Sequence, residues 1–580
     1  MTIDNSSSKF TIGIFVIHID NPYIEMLCNG IEDAAKEQNI NTIYILGGPL
    51  QVSFAPYEAQ ANILYDLIDS RNIDGIIISS GSICNFLTQD RIKTFFQKYK
   101  NIPVVNLGYS VPDVMNILLD NRKGMKDVVK HLIEVHNVRK IAFIQGPQVN
   151  YDAKIRYEAY QEVLNEYNIP VEQELILQGN FTDVSGKFCA ATLLNSGVQF
   201  EAIVAANDKM ALGAIEELKK RRYRVPNDFL VTGFDNTFES KFSSPPLTTI
   251  QQPVYEQGKK AMEKIISIIK KNESPNNIFL STELIIRKSC GCIPKTSAES
   301  ILNSFIKMDK FKKKDFVDDL NNIIFEIQKT NIYDNFKMNP IFIRDLLSSF
   351  IQEINNNNKN IFINKFKGLI EDLVSSDPDL RDWIDIISMF RKFSLIYKSN
   401  KKIQSRAEDI LQKASAIINN TIDQFNAFKS HETDKAIQIF STIINLLNSN
   451  FDISKFNDII SKNFPSLGFN YTYISLFEGE DLPSENSKLI TAFNLEKQIV
   501  LPKDGYIFPT NELIPKDFFN KEKRYSYLVQ SLHFKNESQY GFVIFEFKPE
   551  LLHFNLNIHI SNALKVAFIY EEFKKIKNKP

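Results

Sequence analysis

Six polar clusters stand directly behind apolar runs: Asp20-Asn21-Pro22-Tyr23, Gly47-Gly48, Ser79-Ser80, Gly146-Pro147, Asn207-Asp208 and Asp235-Asn236. Carboxylates and amides in such places can accept from and donate to hydroxyl groups. A tyrosine ring such as Tyr23 offers an apolar face for stacking on a sugar. The glycines suit backbone that must come close to another group. The set has the makings of a polyol or sugar cleft. Asp235 closes the run FLVTGFD, and an ionised side chain at the end of a buried strand needs a partner. It reads as a ligand hook, a turn or N-cap aspartate, or a catalytic acid. Tyr23 reads as a stacking ring or as packing at a helix start, and Asn21 and Pro22 shape that helix entry.

The elements that must carry these residues alternate. Short β-branched runs recur at 11–19, 42–46, 75–79, 103–107, 140–144, 202–206 and 229–234. Continuous apolar runs of this length fit parallel strands covered on both faces. Amphipathic helical patterns such as YIEMLCNGIEDAAKEQ and MKDVVKHLIEVH separate them. Strand and helix in alternation predict an α/β fold with parallel sheets. Ligands of such sheets bind beyond the carboxyl ends of the strands, where the six clusters lie.

The segments NDKMALGA, VPNDFLVTGFDN and PPLTTIQQP occur in the order and spacing of the sensor module of the lactose- and galactose-repressor family, which residues 9–292 resemble. HIDNPYIEMLCNGIEDAAKE and the central LLDNRKGMKDVVKHLIEVHNVRKIAFIQGPQVNYDAKIRYEAYQEVL are similar to its first strand–loop–helix and its crossing region. The resemblance implies a periplasmic-binding-protein-like fold: two Rossmann-like lobes, three crossovers, and ligand held between lobes that close about a hinge. Lobe 1 is expected at about 10–112 and 242–275, lobe 2 at about 113–241 and 276–292. It further implies ligand contacts for Asp235, Asn207 and Arg156, with Asp208 as the helix N-cap. Ser80, Tyr23 and Asn21 complete the expected site. An interlobe salt bridge is the other reading of Arg156. A homodimer is also implied.

Residues 1–9 read as a disordered tail, 293–432 as a helical bundle with Trp383 in its core, and 433–580 as a separate α+β domain. The last resembles the GAF sensory fold in its α–β–α order, with strands expected at 471–477, 488–494, 525–534 and 540–547. Repressors of the family carry a helix-turn-helix before the sensor. Here the first strand starts near Phe10, so direct DNA binding is not expected. A basic surface over Lys307–Asp315 is the alternative, against a solvated helix face.

The net charge of −1 gives no global footprint for nucleic acid. The polar start lacks a secretion signal, no window suits a membrane helix, and five cysteines fit a reducing compartment, so the cytoplasm is expected. No P-loop, G-x-S-x-G or H-E-x-x-H pattern is present, and no enzyme or cofactor is expected. The closing KSCGC offers two cysteines, too few for a zinc site, and His131 reads as a core or surface residue; no metal is expected. The function expected is regulation: a cytoplasmic sensor of a sugar-like molecule that signals through its C-terminal regions to a mate or a separate output protein. The alternatives are a sugar-binding component of a transport system and an interaction scaffold with a degenerate sensor.

Overall fold

The computed structural model describes residues 9–17, 19, 22–51, 58–271, 275–292, 340–355, 360–374, 382–394, 400–449, 455–479, 481–496, 499–502, 504–518, 523–534, 539–548 and 556–577. Asn21, the tail 1–8, the basic run Lys307–Asp315 and the helical pattern at 297–329 lie outside them. The chain forms two compact units, Met1–Cys292 with Ile439–Pro580, and Ile293–Gln438.

In the first unit the apolar runs become strands where they were expected, with ends that shift by up to three residues. β1 (Thr11–Val16), β2 (Asn41–Leu46), β3 (Gly75–Ile78), β4 (Val104–Leu107) and β5 (Met115–Leu119) form a parallel sheet with β11 (Asn277–Leu280). Helices α1 (Pro22–Glu37), α2 (Ile63–Asp66), α3 (Ser80–Ile83) and α4 (Gln89–Gln97) follow its first strands. α5 (Asn121–His136) opens the second lobe. There β6 (Ile141–Gln145), β7 (Ile176–Gln178), β8 (Ala202–Ala205) and β9 (Leu230–Thr232) pair in the order β7-β6-β8-β9. α6 (Tyr151–Glu166), α7 (Asp183–Ser196), α8 (Asp208–Lys220) and α9 (Phe238–Phe242) accompany these strands. A small ladder, β10 (Thr249–Gln251) with β12 (Glu283–Ile285), joins lobe 2, and α10 (Val254–Ile269) returns to lobe 1.

The expected crossing points at 113, 242 and 276 therefore move. Residues 115–119 and 277–280 are strands of the first sheet, while Leu247 and Ile250 lie in the core of the second lobe. The chain crosses near Asp120, Gln252 and Ser281. β5 carries Asn116 inside its apolar run, and β11 is a four-residue strand that opens on Asn277 and is largely exposed. The two amides bond to each other across the strand pair at 2.9 Å.

A larger correction concerns residues 439–580. They do not form a sheet of their own. β13 (Tyr471–Glu478), β14 (Asn486–Asn494), β15 (Tyr506–Pro509), β16 (Ser526–His533) and β17 (Gln539–Glu546) pair antiparallel in the order β16-β17-β13-β14-β15. β16 then pairs in parallel with β2, Ser526 opposite Thr42 through Gln530 opposite Leu46. The result is one eleven-stranded sheet. The physical reason is the edge: β2 and β16 would each present unpaired backbone and apolar side chains, and joining them satisfies both. Alternate residues enter two shared cores. Ile12, Ile14 and Val16 pack with Leu528, Val543 and Phe545, while Phe15, Ile43 and Ile45 pack with Tyr473, Val529 and Phe542.

Polar groups close the seam. Glu32 of α1, 3% exposed, receives Arg524 Nη2 at 2.6 Å on Oε1. The hydroxyls of Thr42, Tyr44 and Ser526 gather at its Oε2 at 3.1, 3.1 and 3.2 Å. Arg524 Nε also donates to the Ile40 carbonyl at 2.8 Å, and Tyr44 stacks on Phe547 with ring centres 3.7 Å apart. The α–β–α order expected of this region is present, with Phe456–Asn463 before the strands and Leu556–Lys577 after them. The likeness to a GAF fold rests on that order alone.

The second unit is helical. Pro340–Asn355, Ile361–Val374, Asp382–Ser394 and the first part of Lys401–Ser449 bury Phe350, Phe362, Phe366, Phe390 and Trp383 together, and Trp383 is 2% exposed. No helix among the described residues is long and apolar enough to cross a membrane.

Candidate functional site

Asp235 stands where β9 gives out toward the first lobe. Its backbone is in the left-handed half of conformational space (φ 114°), followed by Asn236 at φ 53°. Such a conformation costs a non-glycine residue on the order of 1–3 kcal/mol and must be held by its surroundings. The Asp235 amide donates to the Ile250 carbonyl at 3.0 Å, and that of Asn236 to Thr249 Oγ1 at 3.3 Å. Arg287 and Gln251 both bond the Asn236 side chain. The backbone of Asp235 makes the turn, and its side chain points toward Gln252 and Arg156.

Among the described residues, both hydrogen bonds to the carboxylate fall on Oδ1, from Gln252 Nε2 at 2.6 Å and Arg156 Nη1 at 3.4 Å. Its side chain is 22% exposed, against 6% for Arg156. Burial pushes its pKa up to about 6, against the pull of the Arg156 guanidinium; Asp152 adds to the rise. Arg156 lies on α6, capped by Asn150, whose side chain accepts from the Ala153 amide at 2.8 Å. Its guanidinium sits 3.8 Å over the Phe234 ring and donates to the Ala206 carbonyl at 2.6 Å. Nε donates to Asn121 Oδ1 at 2.9 Å, and Asn121 donates in turn to Asp152 at 3.0 Å. Burial raises the Asp152 pKa too, with Arg156 opposing. Asp235 meets the guanidinium directly, and Asp152 is linked to it through Asn121.

Tyr23, at the start of α1 in the first lobe, faces this cluster across the cleft. Its hydroxyl pKa is raised first by burial and then by the charges of Asp235 and Asp152. A second bridge crosses nearby. Asn150 Nδ2 of lobe 2 donates to Asn85 Oδ1 and Tyr109 Oη of lobe 1, both at 2.8 Å. Tyr109 Oη also reaches Asn85 Oδ1 at 3.2 Å. In this conformation the two lobes are hydrogen-bonded to one another directly.

Two expected contacts resolve differently. Asn207, not Asp208, is the N-cap of α8: its Oδ1 accepts from the Met210 amide at 3.0 Å, and its Nδ2 donates to the Phe181 carbonyl at 3.2 Å. Asp208 lies one residue inside, fully buried, taking Thr249 Oγ1 at 2.5 Å and the Thr237 amide at 2.8 Å. Burial and the neighbouring Asp235 push its pKa up to about 7. Ser80 is fully buried; its hydroxyl donates to the Leu107 carbonyl at 3.1 Å and accepts from the Tyr109 amide at 3.2 Å. It holds the loop that carries Tyr109 and does not face the cleft. A Cβ at Gly233, just before the Asp235 turn, would lie 2.3 Å from Asp208 Oδ1, so this glycine makes room for that carboxylate. Sequence reasoning missed Gln252, Asn150, Tyr109, Asn85, Asn121 and Asp152. Of these, only Asp152 carried a signal, an acid four residues before Arg156.

Residues 129–290 match a family model described as a periplasmic binding protein-like domain. The HTH-type transcriptional repressor PurR of Actinobacillus pleuropneumoniae serotype 3 is 30% identical over 284 residues, covering 48% of this chain and 80% of the repressor. The chain belongs to the lactose- and galactose-repressor family. Within the family, catabolite control protein A of Priestia megaterium is 29% identical over 278 residues, 47% of this chain and 79% of that protein. Among solved structures, the transcription regulator CcpA of Lactococcus lactis is 26% identical with a TM-score of 0.42, covering 48% of this chain and 99% of that one. These relatives are transcriptional regulators, and the first half of the chain is the family's two-lobed sensor module.

Proposed function

We propose that the cleft between the lobes binds a small polyhydroxylated molecule, a sugar or sugar derivative, and that its occupancy regulates a partner through the joined C-terminal sheet. The observation that carries this reading is Asp235, a carboxylate that meets the protein only through Oδ1 among the described residues and keeps part of its surface open. Oδ2 then accepts from a ligand hydroxyl, and Asp152 supplies a second acceptor. Tyr23 offers its ring from the opposite lobe, and Arg156 positions the two acids. Asn207 shapes the floor through its cap rather than by a direct contact.

The route outward is short. α1 carries Tyr23 at the cleft and Glu32 at the β2–β16 seam, about 13 Å further along the helix. Lobe closure that shifts α1 therefore bears on Arg524 and Ser526. A homodimer and a separate output protein are the partners proposed, in the cytoplasm and without catalysis by this chain.

A second reading, a scaffold with a degenerate sensor, is favoured by one observation: Gln252 and Arg156 already occupy Oδ1. A thermal-shift screen against sugars, sugar phosphates and nucleosides separates the two, since a ligand that binds only the folded state raises the melting temperature. A shift present in the natural chain and lost in Asp235→Asn supports the sensor. No shift from any compound class supports the scaffold.

A further inference from the structure

Outside the cleft, four soft ligands converge from two distant parts of the sensor. His131 and His136 come from the last turns of α5, and Cys290 and Cys292 flank Gly291 at the module's end. Cys290 Sγ lies 3.4 Å from His131 Nε2; Cys292 Sγ lies 3.6 Å from His131 Nε2 and 3.3 Å from His136 Nε2. All four ligand atoms fall within 4.8 Å of one another. The two cysteines of KSCGC are too few by themselves, and the fold brings two imidazoles to them.

The sulfur–nitrogen distances suit a zinc ion. Zn–S bonds of about 2.3 Å and Zn–N bonds of about 2.05 Å at the tetrahedral angle place sulfur and nitrogen about 3.5 Å apart. The three S···N separations scatter around that edge. We propose that His131, His136, Cys290 and Cys292 bind one zinc ion as a closed structural site. Two sulfurs and two nitrogens in a compact tetrahedron select zinc over harder or square-planar ions. Four protein ligands leave no position for a substrate, so the site holds structure rather than performing chemistry.

The surroundings fit a metal thiolate. Thr248 Oγ1 stands 3.1 Å from Cys290 Sγ and can donate to it, the kind of outer contact that steadies a metal-bound sulfur. Gly291 sits at φ +89°, which turns both neighbouring thiols to one side, and a Cβ there would come within 3.6 Å of the His136 ring. Cys290 is fully buried and His131 nearly so, while His136 and Cys292 reach the surface enough to admit an ion. The consequence is mechanical. Zinc would clamp Lys288–Cys292, the last described residues of the sensor, onto α5. The other end of α5 is Asn121, which holds Arg156 and Asp152 in the cleft.

The test is metal analysis of the full chain, purified under reducing conditions without chelator or immobilised metal. About one zinc per chain is expected by elemental analysis, together with chelator-sensitive melting. Replacing zinc by cobalt should give a thiolate-to-metal charge-transfer band and the intense visible bands of a tetrahedral ion. This measurement needs no variant. Cys292→Ser, at the half-exposed ligand, should lose the metal and the charge-transfer intensity while keeping the far-ultraviolet circular dichroism. Free thiols with less than about a tenth of an equivalent of metal after zinc addition would overturn the proposal. So would a Cys290–Cys292 disulfide in the isolated protein, or full metal content in Cys290→Ser/Cys292→Ser.

Discussion

Arg524→Ala tests whether the sensor and the C-terminal strands share one sheet in solution. In the structure Arg524 Nη2 lies 2.6 Å from Glu32 Oε1, and Glu32 is 3% exposed. Removing the guanidinium leaves a buried carboxylate with three hydroxyl neighbours, from Thr42, Tyr44 and Ser526. Breaking a buried pair from one side costs about 3–5 kcal/mol. The lower end applies here, because Arg524 is 19% exposed and the hydroxyls stay. A loss of about 3 kcal/mol corresponds to a rise of about 150-fold in the open population of the seam. Hydrogen exchange reads that population directly. The Thr42 amide donates to the Tyr525 carbonyl at 3.1 Å, and the two-residue period turns Tyr44 and Leu46 the same way. Peptides covering 41–46 and 526–530 should exchange about a hundredfold faster in Arg524→Ala. Glu32→Gln/Arg524→Met, which removes both charges, should restore most of the protection. In the natural chain, fast exchange at Thr42, Tyr44 and Leu46 beside slow exchange at Ile43 and Ile45 would mean that β2 is a free edge and the reasoning wrong. Unchanged protection in Arg524→Ala would instead show that the ion pair contributes nothing to the seam.

Other outcomes follow from the cleft. Asn150→Ala removes the cap of α6 and the bridge to Asn85 and Tyr109; a stability loss of about 1–2 kcal/mol is expected, with weaker binding of any compound that shifts the natural chain, and unchanged affinity would show that the bridge does not bias closure. Gly233→Ala forces a Cβ toward Asp208 Oδ1 and should cost about 1–3 kcal/mol in chemical denaturation; a neutral result would mean that the loop relaxes freely. Asp208 and Asp235 have folded pKa values raised to about 7 and about 6. The native state therefore holds more protons than the unfolded chain between about pH 4 and pH 7. Stability from these two groups is present at low pH and is lost as pH rises through that window, so the melting temperature should climb on going from pH 8 to pH 5. Asp208→Asn should flatten the climb, and an equal slope in that variant would remove Asp208 as its source. Ligand hydroxyls favour ionised Asp235, so affinity should move the other way and fall below about pH 6.

Much of the first half was legible because buried parallel strands are continuous apolar runs, and β1, β2, β3, β4, β6, β8 and β9 announce themselves that way. β5, β11 and the short ladder β10–β12 do not, since polar residues stand within or at the ends of these short runs and their pairing is set by neighbours. The C-terminal strands were readable one by one. Their union with β2 was not, because Thr42 and Ser526 meet across a separation of 484 residues and an edge carries no mark of its partner. At the site, Asp235 could be placed by its strand. Ser80 misled because a serine behind a strand looks the same whether its hydroxyl meets a ligand or the next loop. The convergence of the cysteines and histidines was hidden by distance: His131 and Cys290 are 159 residues apart, and each pair alone is too small to bind a metal.

The joined sheet also bears on how the molecule can be taken apart. Cutting after the sensor module would strip β16 from β2 and uncover half of two hydrophobic cores at once. Glu32 would face solvent beside a bare apolar edge of the type that templates aggregation. A fragment ending near residue 292 should therefore be sticky and poorly soluble, and its failure to bind anything would say little about the intact chain. The converse cut, freeing residues 439–580, leaves the same scar on the other side. Biochemical dissection of this protein has to proceed by single substitutions within the whole chain, and grafting its sensor onto another output would have to carry β16 along.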